Sequence, residues 1–107
     1  MAGVITGNVQ SIGVASLTLS PALIVLNTTA EQTFTVPGIR VTDVLLNVTK
    51  PTAQAGLGIV GFRVTAADTI GITFSNNTGS SITPTAAQVY LVSWARPDSV
   101  QGGVAGV

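Results

Sequence analysis

The stretch from Ile59 to Ser75 reads IVGFRVTAADTIGITFS, and its period decides the fold. From Ile59 to Thr65, Val60, Phe62 and Val64 share one face and Arg63 lies opposite. Ala66-Ala67-Asp68 is a short connection. From Thr69 to Ser75, Ile70, Ile72 and Phe74 share one face, with Thr69, Thr73 and Ser75 on the other. Two period-two runs joined by a short polar link predict a β-hairpin with one apolar and one polar face.

The same period extends outward on both sides. Glu31–Val36 (EQTFTV) places Gln32, Phe34 and Val36 on one face, and the Pro37-Gly38 turn closes it. Arg40–Lys50 (RVTDVLLNVTK) predicts a strand with Val44, Leu46 and Val48 inward and Asp43, Leu45 and Asn47 outward. It stops at Pro51, which cannot donate to a ladder. Thr52–Gly58 reads as a loop, as does the turn-rich Asn76–Pro84 (NNTGSSITP). Gln88–Ala95 (QVYLVSWA) is a further strand with Tyr90, Val92 and Trp94 on one face. Near the start, Leu17 and Leu19 alternate with Thr18 and Ser20, Pro21 breaks the run, and Ala22–Leu26 is a short second strand. Asn27-Thr28-Thr29 is a turn.

No stretch of a dozen residues carries a 3.6-residue period, and β-branched residues are abundant. The expected fold is therefore all-β: a small antiparallel β-sandwich or jelly-roll-like barrel of six to eight strands. Residues 1–13 read as an N-terminal arm, with a weak first strand in the opening MAGVITGNVQSIGVAS as the alternative, 14–97 as the β domain and 98–107 as a flexible tail. The glycines of VQGGVAGV make an ordered element there unexpected.

Composition bounds the function. The 107 residues hold four Lys+Arg, four Asp+Glu, no His and no Cys, for a net charge of zero. Charged residues are 7% of the chain, against about 25% in ordinary globular proteins. So neutral a chain has no phosphate footprint for nucleic acid. It has no basic patch for an anionic membrane, no run long enough to span one, and no signal-peptide pattern at its start. Disulfides are impossible, and a small neutral domain gains most readily from association.

The catalytic inventory is equally thin. Glu31, Asp43, Asp68 and Asp98 are scattered beside turns and strand ends, not paired for acid–base work. Ser and Thr lack a His to activate them. No Ca²⁺-loop pattern is present, so the expectation is no metal, no cofactor and no enzymatic activity. Asn27-Thr28-Thr29, Asn47-Val48-Thr49 and Asn76-Asn77-Thr78 match the glycan-acceptor pattern, which fifteen Thr produce readily by chance. The candidate contact residues are those suited to interfaces: Tyr90 and Trp94, which carry a polar handle on an apolar body, and the isolated Arg40, Arg63 and Arg96.

Several segments carry a family resemblance. Lys50-Pro51-Thr52 with Gln54–Ile59, the hairpin Arg63–Ile70 and Thr73–Thr78 resemble small virion structural proteins of tailed bacteriophages, nearest to the head decoration, or cement, class. The resemblance covers Asn27 to Pro97. It implies a β-sandwich on the outer surface of the capsid, bound to the major capsid protein at capsomer junctions, commonly as a trimer. It supplies no catalytic residues. The alternative is a receptor- or glycan-binding module of a phage head fibre or tail, with a pocket or aromatic platform near Asn76–Ser81.

Overall fold

The computed structural model describes residues 8–98. They form six strands: β1 (Val9–Leu19), β2 (Thr28–Thr35), β3 (Val44–Thr49), β4 (Leu57–Ala66), β5 (Thr69–Asn76) and β6 (Gln88–Pro97). The strands make two antiparallel three-stranded sheets, ordered β1-β6-β3 and β2-β5-β4. Neither sheet closes on itself, so the expected barrel alternative does not apply to the described residues. β6 and β5 are the central strands, and the chain reaches each by pairing it between strands drawn from earlier sequence.

The core forms where the inner faces supply their alternate residues. Ile70, Ile72 and Phe74 of β5 and Tyr90 and Val92 of β6 are wholly buried, joined by Leu19, Ile24, Val36, Ile39, Leu45 and Val48. The hairpin of β4 and β5 forms as its period predicts, with Phe62 opposite Ile72 and Val64 opposite Ile70. Its tip is Ala67-Asp68, where Asp68 adopts a φ of 60°. Asp68 also serves the neighbouring β2–β3 connection. Its carboxylate accepts from Gly38 N at 2.8 Å, and its backbone bonds to Val36 and Ile39.

Three expectations need correction. Val44 and Leu46 point to solvent, while Leu45 and Val48 point inward. The cause is a bulge at Leu46, where the register with β6 skips one residue between Leu45 and Asn47. A bulge reverses the in–out phase beyond it, so strict alternation fails. The same happens in β4: the register skips between Ile59 and Gly61, and Val60 is left exposed.

The third correction concerns the start. β1 begins at Val9, inside the stretch read as an arm, and pairs with β6 from Val9↔Pro97 to Leu19↔Gln88. Gly13 fits this strand because the Trp94 ring lies over it; an added Cβ would stand 3.0 Å from the ring. Ala22–Leu26 is not a strand. It contributes the isolated bridge Ile24↔Ile82, with Ala22 held on both backbone groups by the Gln32 amide. Thr28, read as a turn residue, already belongs to β2. Of the expected tail, only Asp98 falls within the described residues.

Candidate interaction surface

Each sheet has one face in the core and one outside, and the two outer faces differ in chemistry. On β2-β5-β4 the outward positions are Thr29, Glu31, Thr33 and Thr35 of β2, Thr69, Gly71, Thr73 and Ser75 of β5, and Arg63 of β4. This face is polar. Glu31 and Arg63 form a two-pronged ion pair with both bonds at 2.9 Å. The pair passes over Gly71, where a Cβ would stand 2.5 Å from the Glu31 carboxylate. The Arg63 hydrogen bond holds the Glu31 carboxyl below its usual range.

On β1-β6-β3 the outward positions carry no charge, and large apolar residues are interspersed there with Ser, Thr and Asn. The register sets them in rows across the sheet: Ile12, Ala95 and Val44; then Val14, Ser93 and Asn47; then Ser16, Leu91 and Thr49; then Thr18 and Val89. The bulged Leu46 stands beside the second row. Ile12, Val14, Val44, Leu46, Val89 and Leu91 are all between 42% and 69% exposed. No Asp, Glu, Lys or Arg is among these positions. A shallow open trough runs over Ser93, walled by Ile12 and Val14 on one side and Leu46 and Asn47 on the other. A sheet with one side in the core ordinarily turns polar residues to water on the other. An uncharged face carrying this much exposed Val, Ile and Leu is a candidate contact surface.

The residues singled out from the sequence do not assemble into this surface. Tyr90 is wholly buried on the opposite side of β6. Burial raises the pKa of its phenol, and its hydroxyl has no protein partner among the described residues. Trp94 packs against the core. Arg40 is exposed in the β2–β3 connection, with its backbone N–H donating to Asp43 at 2.9 Å. Arg63 lies on the other sheet with its fork occupied by Glu31.

Arg96 is likewise committed internally. Its Nε and Nη2 donate to the two Asp43 oxygens at 2.9 and 2.7 Å, and Nη2 also donates to the Gly38 carbonyl. Its guanidinium stands 5.1 Å from the Trp94 ring centre. The Asp43 side chain is fully buried, and the hydrogen bond from Arg96 holds its pKa down against desolvation. This clip fastens the β2–β3 connection to the end of β6. Arg96 therefore presents no open fork to a partner's carboxylate.

What reading for interface residue types missed was the pattern on both faces of a strand. QVYLVSWA alternates outward Val89 and Leu91 with inward Tyr90 and Val92, and SIGVAS alternates outward Ile12 and Val14 with inward Gly13 and Ala15. Apolar residues at consecutive positions signal a strand covered on both sides.

The remaining polar clusters are structural. Asn76 is buried, and its amide donates to the Ile24 and Ser80 carbonyls and accepts from both Thr78 N and Oγ1. An Asn so committed cannot take a glycan in the folded chain, whatever the Asn76-Asn77-Thr78 pattern suggests. Among the described residues no three of His, Cys, Asp and Glu group as metal ligands would. The chain matches no known protein-family model, no curated protein and no solved structure.

Proposed function

We propose that this chain is a non-enzymatic virion structural protein, a decoration or cement module. In this reading it docks its β1-β6-β3 face on the outer surface of an assembled phage capsid, across contacts between capsomers of the major capsid protein. The observation that supports docking is the uncharged apolar outer face of that sheet, set against the polar outer face of the other. The phage capsid enters through the resemblance carried by Lys50–Ile59, Arg63–Ile70 and Thr73–Thr78.

The mechanism is linkage. A module that binds the assembled shell and not the loose subunit stabilises the shell by its binding free energy. Six half-exposed apolar side chains contribute on the order of 1 kcal/mol each when covered, about 6 kcal/mol gross. Association costs of roughly 4–15 kcal/mol oppose this, so one face binds weakly alone. Many copies at symmetric positions, or copies joined to one another, make the attachment firm.

The rival reading, a receptor- or glycan-binding module of a head fibre or tail, calls for a pocket or an exposed aromatic platform near Asn76–Ser81. Phe74 and Tyr90 are wholly buried, and Phe34, Phe62 and Trp94 pack on the core; the shallow depression beside Asn77 and Ser75 is lined by Gly56, Leu57, Gly58 and Val60 and holds no aromatic. A cryomicroscopy reconstruction of the particle that contains this chain tests the proposal. Density over capsomer junctions is the expected result; density confined to the tail would refute it.

A further inference from the structure

An exposed strand edge is a row of N–H and C=O groups ready to pair with another chain. Natural sheets blunt such edges with charges, prolines, bulges or short length. Three of the four described edges are blunted in these ways. β2 carries Glu31. β4 carries Arg63 and register breaks at two places. β3 has six residues, the bulge at Leu46 and Lys50-Pro51 directly after it.

β1 is different. It runs eleven residues with no charge and no Pro. Its register with β6 is unbroken from Ser11 to Leu19. Among the described residues no strand pairs along its other side. Ile12 at 69% and Val14 at 63% are the most exposed apolar residues of the outer face, because no described strand flanks them on that side.

We propose that β1 pairs with β1 of a second copy, antiparallel about a twofold axis near Val14, joining two three-stranded sheets into one of six strands. Three features favour a second copy over an unlike partner. First, the strand has no charge, so setting it beside itself meets no like-charge repulsion. Second, twofold antiparallel pairing puts outward residues beside outward residues. Val14 then meets its own equivalent, with Ile12 of each copy diagonal to it and within side-chain reach. Third, a register centred there pairs the regular stretch from Ser11 to Leu17, clear of the register break between Val9 and Ser11. The contact is isologous and closes as a dimer, where the resemblance implies a trimer. Pairing lays the two apolar faces side by side, doubling the platform available to a shell. The inference deepens the docking proposal but does not require it.

The test uses the full chain. Light scattering over a range of concentrations should give a two-copy mass. Val14→Lys puts a charge at an exposed position and should weaken association at least tenfold with an unchanged circular dichroism spectrum. The chain has no Cys, so Val14→Cys offers a single thiol. Antiparallel partners lie about 4.5–5.5 Å apart at Cα, within disulfide reach, and mild oxidation should cross-link it. Ser93→Cys, at the middle of the face, should not cross-link. A one-copy or three-copy mass would overturn the inference, as would cross-linking through Ser93→Cys and not Val14→Cys. Particle binding by a monomer would remove the pairing and leave the docking proposal standing; a dimer that binds no particle would do the reverse.

Discussion

Replacing Gly56 with Ala separates two physical effects at one corner of the fold. Gly56 has a φ of +79°, a left-handed conformation that costs an L-residue roughly 1–2 kcal/mol. An added Cβ would also overlap Thr78 Cγ2 and approach Asn77 Oδ1 at 3.2 Å. Thr78 cannot simply rotate away. Its Oγ1 donates to Asn76 Oδ1 at 2.7 Å and lies 2.8 Å from the Ser80 carbonyl, and Asn77 N donates to the Gly56 carbonyl at 3.0 Å. Overpacking a site that cannot yield costs roughly 1–3 kcal/mol. The expected loss for Gly56→Ala is therefore about 3 kcal/mol, a fall on the order of 15 °C in Tm for a domain of this size. Thr78→Ser keeps the hydroxyl and removes Cγ2, so the double variant should retain only the backbone cost, about 1–2 kcal/mol. Urea unfolding of the four proteins in the cycle measures the coupling. Equal losses for Gly56→Ala in both backgrounds would refute the contact, and a loss under about 0.5 kcal/mol would refute the backbone cost as well.

Other outcomes follow from the same structure. Tyr90→Phe should leave stability unchanged or raise it by up to about 1 kcal/mol, because a buried hydroxyl without a protein partner contributes nothing its removal would lose; a melting temperature several degrees lower would show that the hydroxyl is bonded. Asp43 has its pKa lowered in the folded chain, so its stabilisation is present above the ordinary carboxylate range near 4 and is lost as pH falls through the lower folded value. Thermal midpoints should therefore hold from neutral pH down to about pH 5 and drop below about pH 4. Asp43→Asn should flatten part of that drop, and an unaltered profile would count against the Arg96 clip. Self-association and shell binding should change less than about threefold between 50 and 500 mM salt, since no charge lies on the contact face; a tenfold loss measured by sedimentation would point to ionic contacts instead.

How far these features were legible in the sequence depends on where the strands bulge. The β4–β5 hairpin, the burial of Ile70, Ile72 and Phe74, and the inward Tyr90 and Val92 all follow from a period of two. The failures at Val44, Leu46 and Val60 share one cause. A bulge shifts the phase by one residue, and neither LLN nor IVG advertises it, because a large apolar residue occupies both the extra position and the one before it. β1 is obscured by its single glycine and its small residues. Gly13 looked like the mark of a loose arm, but it is the place where the Trp94 ring lies against the backbone. The contact face was hidden for a related reason. Interfaces are enriched in Arg, Tyr and Trp, but here Arg96 is committed to Asp43, Arg63 is tied to Glu31 on the outer face of the other sheet, Tyr90 and Trp94 face the core, and Arg40 lies off the sheet in the β2–β3 connection. The outer face of β1-β6-β3 carries Val, Ile and Leu at positions that a one-sided strand would give to Thr or Ser.

The most direct test is occupancy on assembled heads. Leu91→Asp places a carboxylate in the middle of the β1-β6-β3 outer face, and Thr33→Asp places one on the polar outer face of the other sheet; both positions are exposed. With purified heads and quantitative gel densitometry of bound chain, Thr33→Asp should bind as the unaltered protein does and Leu91→Asp should lose at least nine-tenths of its occupancy. Full occupancy by Leu91→Asp, or loss confined to Thr33→Asp, would contradict the assignment of the apolar face as the docking surface.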